Sequence, residues 1–294
     1  MTVCIAALCR WKDSDVIVGA SDRMLTASDI EFEPPQTKIA NLTKNCTALV
    51  AGDSASQMTI CEDTFFDLEN ESSVSVHGVA ECFSKNFIKH RKQIAETKHL
   101  SPLGIDFDSF IKNQKHMSQD TVNNISDRLK CSNLDIKTII TGVDDKGGHI
   151  YVVSDPGKIT YMNAVGFAAI GIGEWHAQSQ FMFNGYTKTR SLNEALFMVY
   201  SAKRRAEVAP GVGVITDMFM IGQGEPQYVV VRDEVMEKLR STYEEYQFKQ
   251  KINHDDAMGE IGQYVEELTK EDENPENVAT AVIDSGAPNK QAHE

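Results

Sequence analysis

The chain has 294 residues, 41% of them hydrophobic, and its 29 basic and 43 acidic side chains give a formal net charge of −14. That length and composition can fill one large core or two small ones, while the acidic balance argues against nucleic-acid binding, which needs a basic footprint on some face. No run approaches the roughly eighteen apolar residues of a membrane helix, and the start MTVCIAALCR lacks the basic flank and cleavage site of a signal peptide, which predicts a cytoplasmic protein without a membrane anchor.

In chain order, VCIAALC, the polar turn RWKDSD, VIVGAS, KIANLT and TALVAG predict short strands rich in β-branched and small apolar residues. Met58, Cys61, Phe65 and Leu68 are spaced 3-4-3 and predict one apolar face of a helix over 54–69. A second helix is predicted over 76–97. The polar stretch 98–133, with Ser101-Pro102-Leu103-Gly104, reads as an insertion of loop and short helix with little core of its own. IKTIITGV, the DDKGG turn, HIYVVSD, KITYMNA and GFAAIGIG resume the strands. A second helix pair follows, its second member carrying Leu192, Leu196, Val199, Ala202 and Ala206 on one side and stopping near Pro210-Gly211. VGVITDMFMIG and QYVVVR are the last strands. Residues 233–294 hold 16 acidic against 6 basic side chains, a net of −10 out of −14, and read as an acidic helical extension to about Leu268, suited to subunit contacts or solubility, with a disordered end from Glu271. Strands gathered in blocks between helix pairs predict sheets packed face to face with helices outside, within a domain over 1–232.

The chemistry centres on the start. Methionine ahead of a small residue is removed by methionine aminopeptidase, so a mature chain beginning at Thr2 is expected. A free α-amine would then stand beside the Thr2 hydroxyl, and because such an amine titrates near pH 8 it can act as the general base. Other residues read as structural. The six cysteines are scattered without a CxxC pair, which argues against a disulfide framework or a zinc site, and Cys4, Cys46 and Cys61 lie in apolar segments typical of buried free thiols. Cys4 and Cys9 lack a recognisable His or Asn partner for a nucleophilic role. His149 and His176 read as surface residues, and Trp11 and Trp175 as packing residues. Gly171-Ile172-Gly173 is a lone GxG, with no cofactor and no metal implied.

Asp22 in VIVGASDR, Lys38 sixteen residues later in QTKI, and Gly52 a further fourteen on in LVAGDSASQ follow Thr2 at spacings that resemble the catalytic core of proteasome β-type subunits, N-terminal-nucleophile hydrolases. The resemblance implies an α+β fold, a four-layer αββα sandwich. It also implies a threonine-type peptidase that acts through an acyl-enzyme on Thr2. In that pattern Lys38 sits beside the Thr2 hydroxyl, Asp22 pairs with Lys38, and the Gly52 backbone N–H donates to the oxyanion. Glu207, in Glu207-Val208-Ala209-Pro210-Gly211, stands where the family has Asp, and two hydroxyls of the family pattern are replaced by Ile172 and Pro210. A polypeptide substrate, a homo-oligomeric ring and an ATP-dependent unfoldase partner are the implied associations. Two alternatives fit the same residues: a small-molecule amidohydrolase on this fold, and a catalytically inactive structural ring subunit.

Overall fold

A computed structural model describes residues 2–27, 30–69, 74–224 and 227–271. The chain divides into two units, 1–239 and 240–294. In the first, helices are combined with antiparallel sheets, an α+β composition. One five-stranded sheet has the order β10 (Phe167–Gly171), β1 (Val3–Trp11), β2 (Ser14–Asp22), β11 (Thr216–Ile221) and β12 (Tyr228–Val230). The other runs β5 (Ile39–Thr43), β6 (Cys46–Ala51), β7 (Lys137–Asp144), β8 (Gly147–Ser154) and β9 (Lys158–Tyr161). A small hairpin of β3 (Leu25–Ala27) and β4 (Ile30–Phe32) went unpredicted, because three-residue strands show no periodicity.

The β1–β2 turn is tight. Lys12 and Asp13 both take positive φ, 48° and 66°, the geometry whose twist matches the flanking strands of a two-residue hairpin. Cys4, Ala6 and Leu8 of β1 join Ile17, Leu49, Ile139, Ile150 and Phe219 in one apolar cluster drawn from both five-stranded sheets. The alternate residues Val3, Ile5, Ala7 and Cys9 are buried as well. A strand covered on both faces reads as a continuous apolar run, which is why VCIAALC carries no alternation.

Helix α1 (Ser54–Leu68), capped by the Asp53 carboxylate, and α2 (Val76–His99) pack on the second sheet. Ile60, Val79, Phe83, Phe87, Ile140 and Val153 form the cluster there. The expected face of α1 is corrected: Cys61 and Leu68 are buried, but Met58 and Phe65 are 45% and 44% exposed, and Gln57, Ile60 and Thr64 point inward instead. The insertion has a small core. Its helices α3 (Phe107–Asn113) and α4 (Gln119–Lys130), capped by Asp106 and Ser118, gather Leu100, Phe110 and Ile125 into a core of their own.

Helix α5 (Glu174–Phe183) and α6 (Leu192–Ala206), which starts with a reciprocal Ser191–Glu194 capping box, pack on the first sheet. Val199, Ala202 and Ala206 are buried as expected, whereas Leu192 and Leu196 are half-buried. Trp11 and Trp175, expected in the packing, are 47% and 72% exposed. Helix α7 (Asp233–Glu271) begins in the first unit, where Leu239 is buried, and supplies the described part of the second. The disordered end expected from Glu271 falls outside the described residues. No helix among the described residues is long and apolar enough to cross a membrane.

Candidate functional site

Thr2 precedes β1, Asp22 ends β2, and Lys38 precedes β5, so three strand ends bring three distant residues to one point. Asp22 is fully buried and Thr2 is 2% exposed. A buried carboxylate must find donors, and Asp22 has five. Its Oδ1 accepts from the Thr2 hydroxyl, from the Val3 N–H at 2.9 Å and from Lys38 Nζ at 3.0 Å. Its Oδ2 accepts from the Met24 and Gly213 N–H groups, each at 3.0 Å. Lys38 Nζ also donates to Thr2 Oγ1 and to the Met24 carbonyl at 2.5 Å. The ammonium and the hydroxyl therefore share a nearly dry site with their counterion, where a positive charge stabilises any oxyanion that forms on Thr2.

Thr2 opens onto a cleft of about 490 Å³ that Gly52, Asp135, Lys137, Asp155 and Ile172 help to line. Gly52 takes φ +124°, and a Cβ there would lie 2.3 Å from the Asp135 carbonyl, so only glycine fits. Gly171, at φ +94°, lets the next turn close on Thr2, where a Cβ would meet the Thr2 carbonyl at 2.3 Å. The facing wall is set by Asp155, whose carboxylate accepts the N–H groups of Leu134 and Asp135 at 3.1 and 2.9 Å. Lys137 of β7 reaches both oxygens of Glu174 on α5 at 2.8 Å, tying the second sheet to a helix of the first sheet beside the cleft.

Thr2, Asp22 and Lys38 are thus brought together and Gly52 lines the cleft they face. Glu207 stands apart from them, at the C-cap of α6. Its carboxylate is held by Lys203 at 2.6 Å and Arg204 at 3.0 Å rather than by Thr2. Ile172, 47% exposed, brings no hydroxyl to the cleft. The thiolate is disfavoured at both thiols of β1: burial first, then the charge of Asp22, pushes the Cys4 thiol far up, and burial pushes Cys9 up to about 12.

Sequence reasoning missed Lys203, which looked like one of three basic residues ending α6. Its i, i+4 spacing to Glu207, one position past apolar Ala202, was the available signal. His149, expected at the surface, has a side chain only 12% exposed and bonds Asp144 at 3.0 Å. No group of three or more His, Cys, Asp or Glu side chains among the described residues could hold a metal ion. Comparison with known proteins finds no protein-family model and no curated protein that matches this chain.

Proposed function

We propose that the chain is a threonine hydrolase that cleaves amide bonds of polypeptides, arranged as the four-layer αββα sandwich of proteasome β-type subunits. One observation carries the reading: a buried Thr2 hydroxyl lies between the Asp22 carboxylate and the Lys38 ammonium at the edge of a peptide-sized cleft.

Once cleavage ahead of Thr2 frees its α-amine, that amine accepts the hydroxyl proton as Oγ1 attacks the substrate carbonyl. A C–O bond forms, and the negative charge on the carbonyl oxygen is met by the Gly52 N–H. The C–N bond then breaks as the amine passes the proton to the leaving nitrogen, leaving an ester on Thr2. Water attacks that ester with the amine again as base, and the hydroxyl is restored. Lys38 stays charged throughout and offsets the charge on Thr2 Oγ1, and Asp22 holds both in register. Ring assembly, an ATP-driven unfoldase partner and a cytoplasmic setting belong to the same proposal.

The test is reaction with a peptide β-lactone followed by intact mass and peptide mapping. A single adduct on an N-terminal Thr2 supports the reading. Full retention of Met1 in protein that hydrolyses peptide amides would refute it.

A further inference from the structure

Beneath the Asp22 carboxylate, α6 carries a charge that the reaction above leaves unused. Lys203 is completely buried, a place that lysine occupies only when its ammonium is paired and hydrogen-bonded. Three acceptors converge on its Nζ: the Glu207 carboxylate at 2.6 Å and the Gly213 and Val214 carbonyls, each at 2.8 Å. Those match the three protons of an ammonium. A methionine could fill the same space without the desolvation cost, so the charge calls for an account.

The account lies in Gly213. Its N–H donates to Asp22 Oδ2 at 3.0 Å while its carbonyl accepts from Lys203, so this one residue spans the buried ammonium and the carboxylate that holds Thr2. The same segment is held from another side, because Glu33 Oε1 accepts the Ile215 N–H at 3.0 Å. Gly213 has no room to shift toward it: a Cβ would lie 1.9 Å from that oxygen. Residues 207–215 have neither helix nor strand to fix them, and Lys203 supplies what a ladder of backbone hydrogen bonds would otherwise provide.

We infer that Lys203 is a positioning residue for the Asp22–Thr2 pair, acting through Gly213, with Glu207 as its counterion. The inference rests on the hydrolase reading. It also gives Glu207 a role that needs no contact with Thr2. Burial pushes the Lys203 ammonium down from its ordinary value, Glu207, then Asp22, favour its charged form, and Arg204 opposes it.

The test compares wild type with Lys203→Met, which keeps the length of the side chain and removes the charge. Active sites are counted by stoichiometric β-lactone labelling, and kcat and KM per counted site are measured against pH with a peptide amide. Lys203→Met is expected to lower kcat per site about 10- to 100-fold with KM within about twofold. A brace for folding alone would reduce the number of active sites and the melting temperature, but not kcat per site.

Glu207→Gln keeps the volume of that side chain and serves even where Lys203→Met fails to fold. The ammonium then loses its countercharge, and the alkaline limb should move to lower pH. Wild-type protein that does not label at Thr2 breaks the hydrolase reading itself. Labelled wild type together with unchanged kcat per site in folded Lys203→Met, or an unmoved alkaline limb in folded Glu207→Gln, overturns the role of Lys203 alone.

Discussion

Against the second sheet, α1 and α2 bury Ile60, Val79, Phe83 and Phe87, whereas against the first sheet α6 buries Ala195, Val199, Ala202 and Ala206 together with the Lys203 ammonium. The first layer fills its space with aromatic and branched volume, the cheapest way to stabilise a fold. The first sheet has its own aromatic group in Phe167, Phe181 and Tyr186, but α6 meets β1 and β2 largely through small residues and gives one buried position to a cation beneath the loop that reaches Asp22. Under the proposed function, α6 serves the site as well as the fold, whereas α1 and α2 serve the fold. Substitutions can separate them, because damage in the α1/α2 layer should lower folding free energy, while damage beside Asp22 should lower turnover in protein that remains folded.

The largest effects belong to the Asp22 end. Thr2→Ala should abolish hydrolysis, since no hydroxyl remains, while Thr2→Ser should keep part of it, losing only the methyl that restricts the rotamer. Lys38→Ala should be nearly as severe. It removes the cation beside Thr2 Oγ1 and leaves Asp22, fully buried, without its ion pair, a change that costs on the order of 3–5 kcal/mol where a buried pair is broken. The measurement is peptide-amide hydrolysis by purified variants with circular dichroism as the control for folding. Folded Lys38→Ala that retained more than about a tenth of wild-type activity, a barrier change below about 1.4 kcal/mol, would remove Lys38 from the chemistry and erase the contrast between the layers.

Next in size is Phe83→Ala on α2. Phe83 is fully buried in the cluster between α2 and the second sheet, and loss of such a ring costs about 3–5 kcal/mol through lost transfer energy and the cavity left behind. Denaturant unfolding should show that loss, while kcat per labelled Thr2 stays at the wild-type value. A fall in kcat per site of the size seen for Lys38→Ala would mean that the two layers are coupled, not divided.

Most strands and the meeting of Thr2, Asp22 and Lys38 were legible in the sequence, for physical reasons that also explain the failures. The spacing of Asp22, Lys38 and Gly52 survives because strand ends and a tight turn fix where those side chains stand, and β1 and β2 declare themselves through apolar runs buried on both faces. The face of α1 was misread because two stripes overlap on it, 57-60-61-64-68 and 58-61-65-68, sharing Cys61 and Leu68. The buried stripe contains Gln57 and Thr64, whose polarity disguised it. Leu100, Phe110 and Ile125 lie too far apart in sequence to show periodicity, so the small core of the insertion was invisible. Lys203 was passed over because a charge run does not show the Gly213 and Val214 carbonyls that join Glu207 around it, and His149 was misplaced because a lone histidine does not show that Asp144 bonds it.

The smallest predicted effect sits at the far end of β7 from the cleft. Lys137 lines the cleft at the start of that strand and Asp144 ends it, about 23 Å away at ~3.3 Å per residue. Asp144 Oδ2 accepts the Val76 N–H at the start of α2, and its Oδ1 accepts the Lys146 N–H and bonds the His149 ring at 3.0 Å. Burial alone would raise this carboxyl, but the N–H groups of Lys146 and Val76, with the charge and hydrogen bond of His149, together hold it below its ordinary value. A carboxyl depressed in the folded state contributes stability that is fully present above its unfolded value, about 3.9, and is lost as pH falls through the lower folded value. Asp144→Asn should therefore destabilise by about 1–3 kcal/mol at pH 7, or ~2–4 °C in melting temperature per kcal/mol for a domain of this size. The gap from wild type should close as the pH is taken well below 4, where Asp144 is protonated in both states. Turnover per labelled site should not change, because Asp144 belongs to the seam between α2 and β7 and not to the cleft. A gap of the same size at pH 3 and pH 7 would show that shape, not the carboxylate charge, holds that seam. A fall in turnover would show that β7 transmits strain from the seam to Lys137.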